Sequence, residues 1–224
     1  MSGGSITGNR ATGDGGGVYK SGSNSSFNMY GGSITGNTAN SYGGGVYVDG
    51  GGFTMSGGTI GGTKTGETNT ATYGGGGVYA KANFEMTGGS ITGNETNRGG
   101  GVYVTGKGSF TMSASADGQN IPSITGNNAT ENGGGVYVVG SSSTFEMTGG
   151  SITGNNAAYG GGVCVSKNGS FEMSGSSCIT NNKANAYGGG VHISYASATF
   201  TMKGGSITGN LSLIHISEPT RPEP

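Results

Sequence analysis

One seven-residue phrase, Gly-Gly-Ser-Ile-Thr-Gly-Asn, stands whole five times in this chain, at 3–9, 31–37, 88–94, 149–155 and 204–210. Degenerate copies surround Ile60, Ile124 and Ile179. From Ile6 to Ile207 is 201 residues over seven intervals, about 29 residues each. Self-similarity at such a period is the mark of stacked repeat units, each unable to bury its apolar face alone.

Two further phrases recur inside the period. Gly-Gly-Gly-Val-Tyr-Val, in whole or in altered form, places Val18, Val46, Val78, Val102, Val136, Val163 and Val191. Phe-x-Met follows it, and all seven phenylalanines of the chain occupy that one slot, from Phe27 to Phe200. The 54 glycines and the 9% of charged residues would otherwise point to disorder. Here the glycines are periodic and bracket short alternating apolar segments, which is strand signalling. No segment carries a 3.6-residue period. Propeller blades need four strands in a longer period, and leucine-rich repeats need leucine, which is almost absent. The expectation is an all-β, three-sided β-solenoid of about seven coils, with residues 1–210 as its repeat domain.

Alternation along a strand fixes which side chains face in. Ile34, Val46, Val48, Phe53 and Met55 are expected inside, with Ser33, Thr35, Tyr47 and Thr54 outside. About five buried side chains per coil, at roughly 1.5–3 kcal/mol each, do not offset the ordering of about 29 backbones at roughly 1–2 kcal/mol each. A coil is therefore expected to be stable only in a stack. The phrase-final asparagines Asn9, Asn37, Asn94, Asn127, Asn155, Asn182 and Asn210 recur once per coil, with Thr63 breaking the series. Asparagine tolerates left-handed turns and its amide can bond its own copy above and below, so they read as a structural ladder at a corner. Longer spacings locate two excursions, around Ala114–Pro122 and Lys64–Tyr73, with a one-residue bulge between Met173 and Ile179.

The order Ile-Thr-Gly-Asn-x-Ala followed by Gly-Gly-Gly-Val-Tyr resembles the paired repeat motif of chlamydial polymorphic outer membrane proteins. It is also similar to the glycine-rich repeats of adhesin-like surface proteins from gut bacteria. Ile replaces Phe before the Asn, and Gly replaces Ala in the second phrase. The resemblance covers 1–210 and implies a right-handed parallel β-helix, surface exposure and adhesion, without naming a receptor. Leu211–Arg221 abandons the repeat and resembles an in-frame translation of a sequencing-library adapter. Residues 211–224 are accordingly expected to be a non-native, disordered tail. Met1 lies at the usual Met-to-Ile spacing, so 1–210 reads as a slice of a longer array with core exposed at both ends. End-to-end association of those ends would follow.

The outer coat holds the candidate surface sites. Tyr19, Tyr47, Tyr79, Tyr103 and Tyr137 form a row, continued by Cys164 and His192, that could stack on sugars or pack against protein. Ser5/Thr7, Ser33/Thr35, Ser90/Thr92, Ser123/Thr125, Ser151/Thr153 and Ser206/Thr208 form a hydroxyl array of the kind ice-binding solenoids use, interrupted at Gly61 and Cys178. Glu85, Glu146 and Glu172 share one outward slot with Asn28, Thr54, Thr111 and Thr201, a tolerant position rather than a catalytic pair. Cys164 and Cys178 are expected on different faces and so not bonded. No catalytic, cofactor or metal site is expected. With a net charge of −1 and no basic stripe, neither nucleic acid nor membrane is an expected partner. The expected function is a non-catalytic, adhesin-like or structural segment of a bacterial cell-surface or secreted protein. A host or microbial glycan or a surface protein would be its partner. Ice binding and polysaccharide binding or degradation are the alternatives.

Overall fold

The computed structural model describes residues 1–213. All regular secondary structure among them is β, in short strands paired in parallel to the equivalent strands of the neighbouring coils. The chain winds as a β-solenoid of about seven turns. Each turn adds one strand to each sheet, as in Ser33–Thr35, Thr38–Ala39, Val46–Val48 and Gly52–Met55. Four sheets run the length of the stack, two of eight strands and two of seven.

Four sheets replace the three sides expected from sequence. The additional strand follows the ladder asparagine and turns one small side chain inward. That residue is Ala39, Ala71, Ala129, Ala157 or Ala184 in five of the coils, all buried, and Thr96 in the fourth. A strand of two to five residues that turns one small side chain inward carries almost no apolar alternation, so period-2 reading passes over it. The other three sheets fall on the Ile, Val and Phe phrases.

The register is like on like. Ile34 lies beside Ile60, Val46 beside Val78, and Phe53 beside Phe84. The core is one continuous cluster of these residues with the methionines. Successive phenylalanine rings from Phe27 to Phe200 stack with centroids 4.7–5.0 Å apart and planes within 20°. That spacing is the strand spacing of a sheet, so the backbone ladder sets the stacking distance. At the ends, Ile6, Val18, Phe27, Val191, Phe200 and Ile207 are only partly buried, because each has a stacked copy on one side only.

The first excursion lies where spacing puts it, between Phe-sheet strand Ser109–Met112 and Ile-sheet strand Ser123–Thr125. The second is displaced. It leaves the coil after Thr59–Ile60 and returns before Thr70–Ala71, so Asn69 to Ala71 belong to the repeat frame. The expected disorder of 211–224 does not extend to its first residues. Leu211–Ser212 is a strand in register with Lys183 and Ala184, since parallel pairing uses backbone groups that any side chain can carry. The rest of that expectation, at 214–224, lies outside the described residues.

Candidate functional site

The asparagines form a single internal hydrogen-bond chain. Each Nδ2 donates to the Oδ1 of the next rung at 2.9–3.0 Å: Asn9 to Asn37, then Asn69, Asn94, Asn127, Asn155, Asn182 and Asn210. The second Nδ2 hydrogen goes to an isoleucine carbonyl one coil back, as from Asn127 to Ile91 at 3.0 Å. Each Oδ1 also accepts a backbone N–H in most rungs, as from Asn94 N at 3.0 Å. The middle rungs are buried, and their amides are fully satisfied, as burial requires. Asn69 supplies the rung that Thr63 leaves out, and it escapes sequence reading because the excursion separates it from Ile60. The left-handed residue at this corner is the one before the rung, usually glycine and in one coil Asn181 (φ 56).

Tyr19, Tyr47, Tyr79, Tyr103 and Tyr137 stand in register with centroids 4.8–5.1 Å apart, the first four rings near parallel and Tyr137 edge-on to Tyr103. The row is not an open surface. Tyr19 is 52% exposed, but Tyr47, Tyr79 and Tyr137 are 5%, 8% and 6% exposed. The cause is the triple glycine. Gly99 (φ 65) reverses the chain so tightly that a Cβ there would lie 2.8 Å from the Tyr103 Cβ. Such turns lay the residue before the triplet against the ring of the next coil. Tyr42 packs on Tyr79 at 4.6 Å, and a Cβ on Gly74 would lie 2.7 Å from the Tyr103 ring. Burial accordingly pushes the Tyr79, Tyr103, Tyr47 and Tyr137 hydroxyls above the ordinary phenol pKa.

The row ends in Cys164 and His192. Cys164 is wholly buried, its thiol is pushed up to about 12 by desolvation, and Sγ lies 3.6 Å from Asn132 Oδ1. Desolvation also lowers the His192 pKa. Beside them a cavity of about 340 Å³ opens over the outer face of the Val sheet, from the ends of the Ala strands to the turns that follow the Val strands. Tyr137, Tyr159, His192 and Tyr195 supply its aromatic walls, and Arg98, Asn132, Ser166, Lys167 and Ser194 its polar ones. The Tyr159 ring lies 5.6 Å from His192, and Arg98 Nε donates to Glu131 Oε2 at 2.6 Å.

The other outward positions are flatter. The Ser/Thr array lies on the Ile sheet, where the excursion at 61–67 lies against it: Gly36 N donates to Glu67 O at 2.9 Å, and Ser33, Thr35, Thr59 and Thr92 share one hollow with Glu67. Glu146 and Glu172 are register neighbours, and Lys203 pairs with Glu172 at 2.7 Å. Glu85 stands between Thr54 and Thr111. Cys164 and Cys178 lie in different sheets, both as free thiols. No group of three or more His, Cys, Asp or Glu side chains placed to hold a metal occurs among the described residues. No protein-family model, curated protein or solved structure matches the chain.

Proposed function

We propose that the chain is a non-catalytic repeat segment of a bacterial cell-surface or secreted protein, working as an adhesin-like stalk. The observation that carries this reading is the unbroken register of the Phe stack and the Asn ladder from the first coil to the last. A one-dimensional stack of this kind is a stiff spacer whose length follows its repeat number. Eight Ile-sheet strands span about 34 Å at about 4.8 Å per step. The low charge, the Ser/Thr coat and the resemblance to polymorphic outer membrane proteins and gut-bacterial adhesins support placement outside the cell. The partly exposed apolar residues of the end coils fit a second copy joined end to end.

Pulling the chain between its termini by force spectroscopy tests the stalk. Release in coil-sized steps, at forces well above thermal noise, is expected. A single low-force extension would overturn it. Beads coated with the chain, presented to glycan and matrix-protein panels, then distinguish an adhesive stalk from a passive one.

A further inference from the structure

The tyrosine row changes character at its sixth position. Cys164 stands in register between Tyr137 and His192, where each of the five preceding coils carries a phenol ring. Strand spacing sets those two neighbours about 9.6 Å apart across the step. The cavity over the Val sheet opens at this place. The ring that would fill the position is missing, and the walls that would enclose it remain. Two of those walls, Tyr159 and Tyr195, are 37% and 54% exposed, so they present aromatic surface to an incoming ligand.

The polar lining has a sign. Arg98 is compensated by Glu131 at 2.6 Å. Lys167 is exposed and enters no ion pair among the described residues. It sits in the tight turn after the Val-sheet strand Val163–Ser166, at φ 46. Asn132, Ser166 and Ser194 add neutral hydrogen-bonding groups. Aromatic faces beside amide, hydroxyl and cationic groups match a ring with an apolar face, equatorial hydroxyls and a carboxylate. A cavity of about 340 Å³ stands at the low end of ligand sites, the scale of one such ring rather than of a folded partner. It is open outward, so a polymer could enter and leave along the groove.

We propose that this cavity binds one hexuronate residue of an acidic polysaccharide, with the ring against Tyr159 and Tyr195 and the carboxylate toward Lys167. The inference stands on the cavity and does not need the stalk reading.

Calorimetric titration of the whole chain with tri-galacturonate and with neutral galactotriose tests it. Saturable millimolar binding of the acidic sugar is expected, about tenfold tighter than the neutral one. Lys167→Ala should remove that preference, and Tyr159→Ala should weaken both sugars at least about fivefold. Cys164→Tyr should abolish binding while circular dichroism and melting stay unchanged, since the second and third coils already hold Tyr42, Tyr47 and Tyr79 together. If Cys164→Tyr fails to fold, the two exposed variants still decide. No binding of either sugar overturns the proposal. Equal binding of both, indifferent to Lys167→Ala and Tyr159→Ala, overturns it equally.

Discussion

Asn127 is a buried amide with every polar atom engaged. Its Nδ2 donates to Asn155 Oδ1 at 2.9 Å and to Ile91 O at 3.0 Å, while its Oδ1 accepts from Asn94 N and Nδ2 at 3.0 and 2.9 Å. Asn127→Ala deletes all four bonds and leaves partners in two neighbouring coils unsatisfied. Each unsatisfied buried group costs about 1–3 kcal/mol, though such costs do not add fully. A loss of about 2–5 kcal/mol in urea unfolding is expected. Asn9→Ala, at the exposed end of the same ladder, should cost less than about 1 kcal/mol, because water replaces the lost bonds. Equal costs at the two sites would show that the ladder is not a source of stability. The recurrence of asparagine was visible from spacing; the inward direction of its side chain was not, since a corner residue belongs to no alternating strand, nor was the Asn69 rung, which depends on where the excursion rejoins the coil.

At the scale of elements, close approach between turns governs what each corner accepts. A Cβ on Gly100 would meet the Gly134 carbonyl oxygen of the next coil at 2.5 Å, with backbone of Asn128 at 2.9 Å. Gly100→Ala should therefore push two coils apart and lower stability by about 1–3 kcal/mol. Gly52, inside a Phe-sheet strand, meets nothing within 4 Å, and its counterparts are Ser26 and Asn83. Gly52→Ala should be neutral or stabilising by up to about 1 kcal/mol. Thermal melts of the pair check the contrast.

The Val sheet has a pH signature of its own. Cys164 titrates near 9.0 when unfolded and near 12 when folded, so above pH 9 the unfolded chain binds fewer protons and stability falls as pH rises. The loss is about 1.4 kcal/mol per unit across that window. The raised tyrosines add a fall of the same sign above pH 10. His192, whose pKa is lowered from 6.5, contributes stability that is lost as pH falls below that value. Urea midpoints should be flat near neutrality and drop beyond pH 9, and Cys164→Ser should soften the first part of that drop. A midpoint that stays flat to pH 11 would contradict the burial of this row.

For the whole molecule, the stack is nearly one-dimensional, so a coil should be removable as a unit. Deleting 128–155 joins Asn127 to Asn156 and takes out one turn with its rung, since Asn128 and Asn156 are register partners. The shortened chain is expected to keep its β circular dichroism and a cooperative melt, with a rod shorter by about 4.8 Å in small-angle scattering. Collapse to a disordered chain would mean that stability is not distributed along the stack.

The amino-acid sequence determined the period, the inward Ile, Val, Phe and Met slots and the strand class, because each is a local pattern repeated at fixed intervals. Tertiary structure alone decided the fourth sheet, the burial of Tyr47, Tyr79 and Tyr137, and the cavity beside Cys164. Alternation along a strand distinguishes only an inner and an outer face. Whether an outward ring meets water depends on how the triple-glycine turn of one coil lies against the next, a contact between residues about 30 positions apart.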